Sequence, residues 1–213
     1  MVSSEASPRA ASASTGAGPL LIVISGPSGV GKDALLERLR ERGFPAHFTV
    51  TATTRPQREV LPADHRYLRF MTEADFEKLL ADDGLLEHAT VYGYHYGVPK
   101  AEVAEALAAG RDVIMRVDVQ GAATIKRLVP SAVSIFLAPP SVGELEVRLR
   151  GRGLDNAGVI RKRLEAAQRE LAEQSTFDYV VMNERDRLDE AADRVLAIIE
   201  KERSRPGRQP VIL

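Results

Sequence analysis

Cysteine is missing from all 213 residues, so disulfides and thiolate metal sites are excluded. That suits a reducing cytoplasm, where we expect the protein to work. Long hydrophobic runs are missing too. The apolar stretches, such as Leu20 to Ile24, have the length of buried strands, well short of the roughly 20 residues that cross a bilayer. Neither sign of charge dominates, since the formal net charge is −1. That balance points to no nucleic acid and no membrane as partner, and any basic site must be local. Aromatic residues make up only 5%, so a local concentration of them is informative. No internal repeat is present. What remains, 44% hydrophobic, is an ordinary globular composition, long enough for one core with inserted subdomains. Residues 1–18 are rich in Ser, Ala, Gly and Pro and hold no apolar segment of signal-peptide length, so they read as a disordered tail. Residues 204–213 read as a second, loose tail.

The most informative stretch is Ser25-Gly26-Pro27-Ser28-Gly29-Val30-Gly31-Lys32-Asp33. An apolar run, Leu20 to Ile24, precedes it, and Ala34-Leu35-Leu36-Glu37-Arg38-Leu39 follows with apolar residues at helical spacing. Strand, glycine-rich loop and helix in that order, with Gly26-x-x-x-x-Gly31-Lys32, form a phosphate-binding loop. Glycines let successive N–H groups turn inward on a phosphate, and the helix start adds its positive dipole end. Lys32 brings an ammonium to the β- and γ-phosphates. We therefore expect Gly26, Pro27, Ser28, Gly29, Val30, Gly31, Lys32 and Asp33 to bind the phosphates of a nucleotide, which the family resemblance given below implies is ATP. The residue after the lysine is usually Ser or Thr, whose hydroxyl ligates Mg²⁺. A carboxylate at Asp33 predicts a Mg²⁺ ligand there and a tighter dependence on that ion.

Farther along, helical and strand patterns alternate. His47–Thr51, Asp112–Asp118, Val133–Leu137 and Phe177–Met182 read as strands. Glu102–Ala109, Ala122–Leu128, Val142–Arg150, Val159–Glu173 and Leu188–Lys201 read as helices. That alternation predicts an α/β fold with a parallel sheet and right-handed crossovers. Ligands of such sheets bind at the carboxyl ends of the strands, where both the loop and Asp118 fall. Between Thr53 and about Lys100 the pattern changes to turns, aromatics and charges with one short helix near Glu73–Leu80, as an inserted subdomain would.

Three clusters carry chemistry. Thr53-Thr54-Arg55-Pro56-Gln57-Arg58 sets two guanidiniums three residues apart. Their planar forks suit a phosphate monoester, although such a pair alone is as readily a solvated loop. Glu87 follows the apolar pair Leu85-Leu86, and Tyr92, Tyr94 and Tyr96 crowd nearby. A carboxylate accepts both N1–H and the 2-amino group of guanine, and adenine offers no such pair of donors. Arg148-Leu149-Arg150-Gly151-Arg152-Gly153 with Arg161-Lys162-Arg163 is a basic cluster around a glycine-bearing turn, as a triphosphate-covering lid would have. His47, His65, His88 and His95 show no metal-ligand spacing.

Together these motifs, with Val117-Asp118-Val119-Gln120-Gly121, Ala138-Pro139-Pro140-Ser141 and Asn183, resemble the guanylate kinase family from about Leu20 to Ile199. The resemblance implies a three-layer P-loop kinase fold: core 19–50 and 101–202, GMP-binding subdomain about 51–100, and lid about 148–163. It implies ATP and GMP, with dGMP, as substrates and Mg²⁺ as cofactor. Thr51, Arg55, Arg58, Tyr67, Glu87, Tyr96 and Asp118 would bind GMP, with Glu87 and Asp118 on the base. Lys32, Arg148, Arg152 and Arg163 would be catalytic, and Asn183 would line the ATP site. The chain departs from the family at Asp33, at Val98 in place of a guanine-bonding hydroxyl, at Arg116 where some members are acidic, and by an extra residue between Tyr67 and Phe70. Two rivals follow. A ribose 1,5-bisphosphate kinase shares the fold and often has Gly-Lys-Asp, but has no use for Glu87, Asp118 and the arginine pair. A non-catalytic guanylate-kinase-like module generally lacks the phosphate loop kept here.

Overall fold

A computed structural model describes residues 18–57, 64–91, 93–151, 153 and 156–213. In chain order these form β1 (Leu21–Ser25), α1 (Lys32–Glu41), β2 (His47–Phe48), β3 (Thr51–Thr53), α2 (Asp64–Tyr67), β4 (Leu68–Phe70), α3 (Glu73–Ala81), β5 (Leu85–Val91) and β6 (Tyr94–Pro99). Then come α4 (Lys100–Ala108), β7 (Val113–Arg116), α5 (Val119–Leu128), β8 (Val133–Ala138), α6 (Val142–Gly151), α7 (Ala157–Ala172), β9 (Tyr179–Met182) and α8 (Leu188–Arg203).

The main sheet has the order β2-β7-β1-β8-β9 and is parallel at every pairing. Its central strand explains the three layers. Alternate residues of a strand face opposite sides, and here both sides are apolar. Leu20, Ile22 and Ile24 pack with α1, α6, α7 and α8, whereas Leu21 and Val23 pack with α4 and α5. The helices start where local chemistry permits. Ser141 Oγ accepts the Glu144 amide at 3.0 Å, and Asp118 accepts the Gly121 amide at 2.7 Å; both are N-caps.

A second sheet of order β4-β3-β6-β5 is built from residues within 51–99. Its strands pair antiparallel apart from β3 and β4. It has its own small core of Ala52, Phe76 and Leu85.

Two expectations are corrected here. The strand expected over His47–Thr51 is two strands in different sheets. The chain leaves the main sheet at Thr49, whose amide still reaches the Ile114 carbonyl at 3.0 Å. The next amide, Val50, is taken at 3.0 Å by Glu102 of α4 rather than by a strand. Residues 204–213 are not a loose tail. Arg208 is buried and donates to the Gly18 and Pro19 carbonyls, Ser131 donates to the Pro210 carbonyl at 3.1 Å, and Val211 packs on the second core cluster. No helix among the described residues is long and apolar enough to cross a membrane.

Candidate active site

Directly after β1 the backbone turns at Gly26 (φ 136°) and passes Gly31 (φ 104°) into α1. These two positions require glycine twice over, by dihedral and by space. A Cβ on Gly26 would lie 2.2 Å from the Leu137 carbonyl oxygen, and one on Gly31 would lie 2.6 Å from Asn183 Nδ2. The loop is thus pressed onto the ends of β8 and β9. Asn183 Nδ2 donates to the Val30 carbonyl at 2.7 Å. Arg148 donates to the same carbonyl at 3.0 Å, to the Asn183 carbonyl at 2.9 Å, and to Glu144 at 3.0 Å. Both residues, expected at the nucleotide, here hold the loop in shape.

Lys32 turns back over the loop, donating to the carbonyls of Gly26 and Pro27. Burial pulls its ammonium pKa down, and the carboxylates of Glu170 and Asp33 oppose that pull. Arg163 of α7 reaches Ser28 Oγ at 3.3 Å. Glu170 was not expected from sequence. It lies seven residues after Arg163, two helical turns on the same face, and that spacing was the available signal. Burial raises its carboxyl pKa, while Lys32 and the Ser28 amide draw it back. Its Oε2 is buried with no hydrogen-bond partner among the described residues.

The acceptor half is built on the second sheet and the start of α5. Thr51 is buried in β3, and Tyr96 of β6 pairs with Thr53. The Arg55 amide is fixed by Thr53 Oγ1 at 3.1 Å, and its guanidinium lies 5.9 Å from the Phe70 ring centre. Glu87 of β5 is buried and faces α5, where a Cβ on Gly121 would sit 2.5 Å from Glu87 Oε2. That oxygen has no partner among the described residues. Burial, aided by the Asp118 charge, pushes the Glu87 pKa up to about 8. Val98, opposite Glu87 in the β5–β6 ladder, is fully buried and offers no hydroxyl.

Tyr67, expected at the GMP phosphate, turns its hydroxyl toward α1. It is buried against the core, Arg40 lies over its ring at 5.2 Å, and its hydroxyl donates to Glu37 of α1 at 2.7 Å. Tyr67 ends α2, and β4 begins only at Leu68. Asp33, expected as a metal ligand, is paired with Nη1 of Arg116. Arg58 and Arg152, and the nearby Tyr92, lie outside the described residues.

The chain as a whole has relatives among known proteins. The family profile described as guanylate kinase matches residues 19–202. A guanylate kinase of Carboxydothermus hydrogenoformans is 41% identical over 189 residues, covering 89% of this chain and 91% of that one. A guanylate kinase of Thermus thermophilus is 45% identical over 190 residues, covering 88% of this chain and 84% of that one. The crystal structure of guanylate kinase from Anaplasma phagocytophilum superposes with a TM-score of 0.71 at 29% identity, covering 91% of this chain and 90% of that one.

Proposed function

The chain belongs to the guanylate kinase family, and from that premise we infer that it transfers the γ-phosphoryl group of ATP to GMP, giving ADP and GDP. The observation that carries the substrate reading is the pairing of buried Glu87 on β5 with half-buried Asp118, the N-cap of α5, an acceptor site for the two donors on guanine's edge. On this reading the loop Gly26–Lys32 holds the ATP phosphates, with Asn183 and Arg148 setting its shape. Arg55, Tyr96 and Thr51 line the GMP site, with Arg58 as the second phosphate arginine. The second sheet is the GMP-binding subdomain, and the segment about 148–163, with Arg152, is the lid.

The nucleophile is an oxygen of the GMP phosphate. It is already ionised at neutral pH, so no general base is needed. Catalysis then consists of alignment and charge neutralisation. Lys32 and Arg163 stand beside the loop to supply that charge. Mg²⁺ belongs to the reading as an ion carried on the nucleotide phosphates. Asp33, the carboxylate expected to hold it at the loop, is bonded to Arg116. Among the described residues no group of three or more acidic or His side chains could hold a metal.

The test is ADP release coupled to a spectrophotometric readout, with GMP, dGMP, AMP, UMP and ribose 1,5-bisphosphate offered in parallel. Turnover with GMP and dGMP is expected. Turnover with the sugar phosphate alone would overturn the assignment in favour of the sugar-phosphate kinase.

A further inference from the structure

Arg116 and Asp33 depart from the family pattern separately, and the structure joins them. Arg116 closes β7 and is in register with Ile24 of β1, one residue before Ser25, where the phosphate loop departs. Asp33 stands in the first turn of α1, directly after Lys32. The side chain of Arg116 therefore runs from the strand next to the loop to the helix that ends it. We propose that Arg116 is a phosphate-binding cation of the transfer site, held in place by Asp33. This rests on the reading of the loop as the ATP site.

Three observations support it. First, Arg116 is held but not used up. Nη1 is its only guanidinium nitrogen bonded to a protein acceptor among the described residues, and the side chain is 17% exposed. A guanidinium offers donors on all three nitrogens in a rigid fork, so one edge can stay on Asp33 while another meets a phosphate. Second, its charge reaches the loop. Arg116 acts on Lys32 alongside Asp33, Glu170 and Asp118. A triphosphate entering here meets carboxylates on several sides, and Arg116 is paired with one of them, Asp33. Third, Asp33 explains why the pair exists. A carboxylate in a first helical turn suits the dipole of an empty helix, yet it repels a phosphate bound at the same end. Pairing with Arg116 removes that repulsion. The position that elsewhere supplies a metal-ligating hydroxyl here positions a cation instead. Part of the charge neutralisation otherwise left to Mg²⁺ is built into the protein, so nucleotide binding should depend less on the ion.

The test is calorimetric binding of adenylyl imidodiphosphate, a non-hydrolysable ATP analogue, in EDTA and in Mg²⁺. The unsubstituted protein, Arg116→Met and Asp33→Asn are compared, with GMP binding and thermal melting run on each. Arg116→Met should weaken binding in EDTA by about ten-fold or more, as loss of a charge-assisted contact predicts, and by less in Mg²⁺. Asp33→Asn, which keeps the guanidinium and removes the repelling charge, should bind at least as tightly in EDTA as the unsubstituted protein. Equal affinity of Arg116→Met and unsubstituted protein in EDTA overturns the proposal. So does equal loss in both variants, which would make the pair a brace for the loop. If Arg116→Met does not melt cooperatively, Arg116→Lys replaces it, with an intermediate loss in EDTA expected and no loss counting against the proposal. A protein that binds neither the analogue nor GMP in any condition would instead refute the kinase reading itself.

Discussion

A carboxyl group buried beside a second carboxylate keeps its proton at neutral pH, and Glu87 is in that position. Its pKa stands at about 8, chiefly through burial. Guanine's N1–H and 2-amino group are both donors, so they bind the ionised form. GMP binding near pH 7 must then release a proton from Glu87, and affinity should rise between pH 6 and pH 8. Isothermal titration in two buffers of different ionisation enthalpy measures that proton directly, and Glu87→Gln should abolish the buffer dependence. A binding heat that is the same in both buffers would show that Glu87 does not meet the base. The same shift has a stability consequence. A carboxyl whose native pKa is raised keeps its proton in the folded state after the unfolded chain has lost it. Glu87 therefore favours the nucleotide-free fold most at low pH, and that contribution is lost as pH rises from the usual carboxyl range to about 8. Bound GMP should reverse this slope. Single residues were unevenly legible. Lys32 and Glu87 stand in motifs whose spacing carries the chemistry. Tyr67 sits one register off a motif, and only the fold decides that its hydroxyl goes to Glu37. Glu170 belongs to no motif, because its role depends on α7 lying against the loop.

At the scale of elements, the C-terminal segment shows what alternation of strands and helices leaves out. It has no periodicity, yet it straps the start of the central strand. Arg208 holds Gly18 and Pro19, and Asp112 takes the Leu20 amide at 2.8 Å while paired with Arg203. These anchors lie before β1, and the phosphate loop lies after it. A strand of that length separates them by about 17 Å. Truncation after Arg203 should therefore cost stability without touching either nucleotide site. We expect a loss of about 1–3 kcal/mol from the missing hydrogen bonds, and a melting temperature lower by about 2–4 °C per kcal/mol. Arg208→Ala should reproduce part of it. KM values for ATP and GMP should stay unchanged, and a change in either would mean that the strap reaches the site. The core helices were legible from apolar spacing and caps, and their ends moved by only a few residues. The strand over His47–Thr51 was not divisible from sequence. Four of the five residues, Phe48 to Thr51, favour strand, and what divides the run is Glu102, which lies about fifty residues on and takes the Val50 amide.

For the whole molecule, the division at Val50 is the consequential one. The chain enters the second sheet after Phe48 and returns after Pro99, so the two sheets are joined by two short crossings. Glu102, just past the second crossing, grips the first through the Val50 amide and through His47 Nε2 at 2.7 Å. The two crossings are thereby tied into one joint. The residues proposed for the two substrates are split across it. The phosphate loop and Asp118 belong to the main sheet, whereas Arg55, Tyr96 and Glu87 belong to the second. In-line transfer requires the GMP oxygen to approach the γ-phosphorus to about 3–3.5 Å, and it requires water to be kept out. On the proposed function, moving one sheet toward the other about that joint would meet both needs. Small-angle scattering should show a smaller radius of gyration with GMP and adenylyl imidodiphosphate together than with neither. Glu102→Gln, which removes the charge that couples His47 to Val50, should leave the ligand-free radius larger or more variable and raise KM for GMP more than KM for ATP. An identical radius in all ligand states would mean that the half-sites are already at working distance and that the joint is a rigid brace.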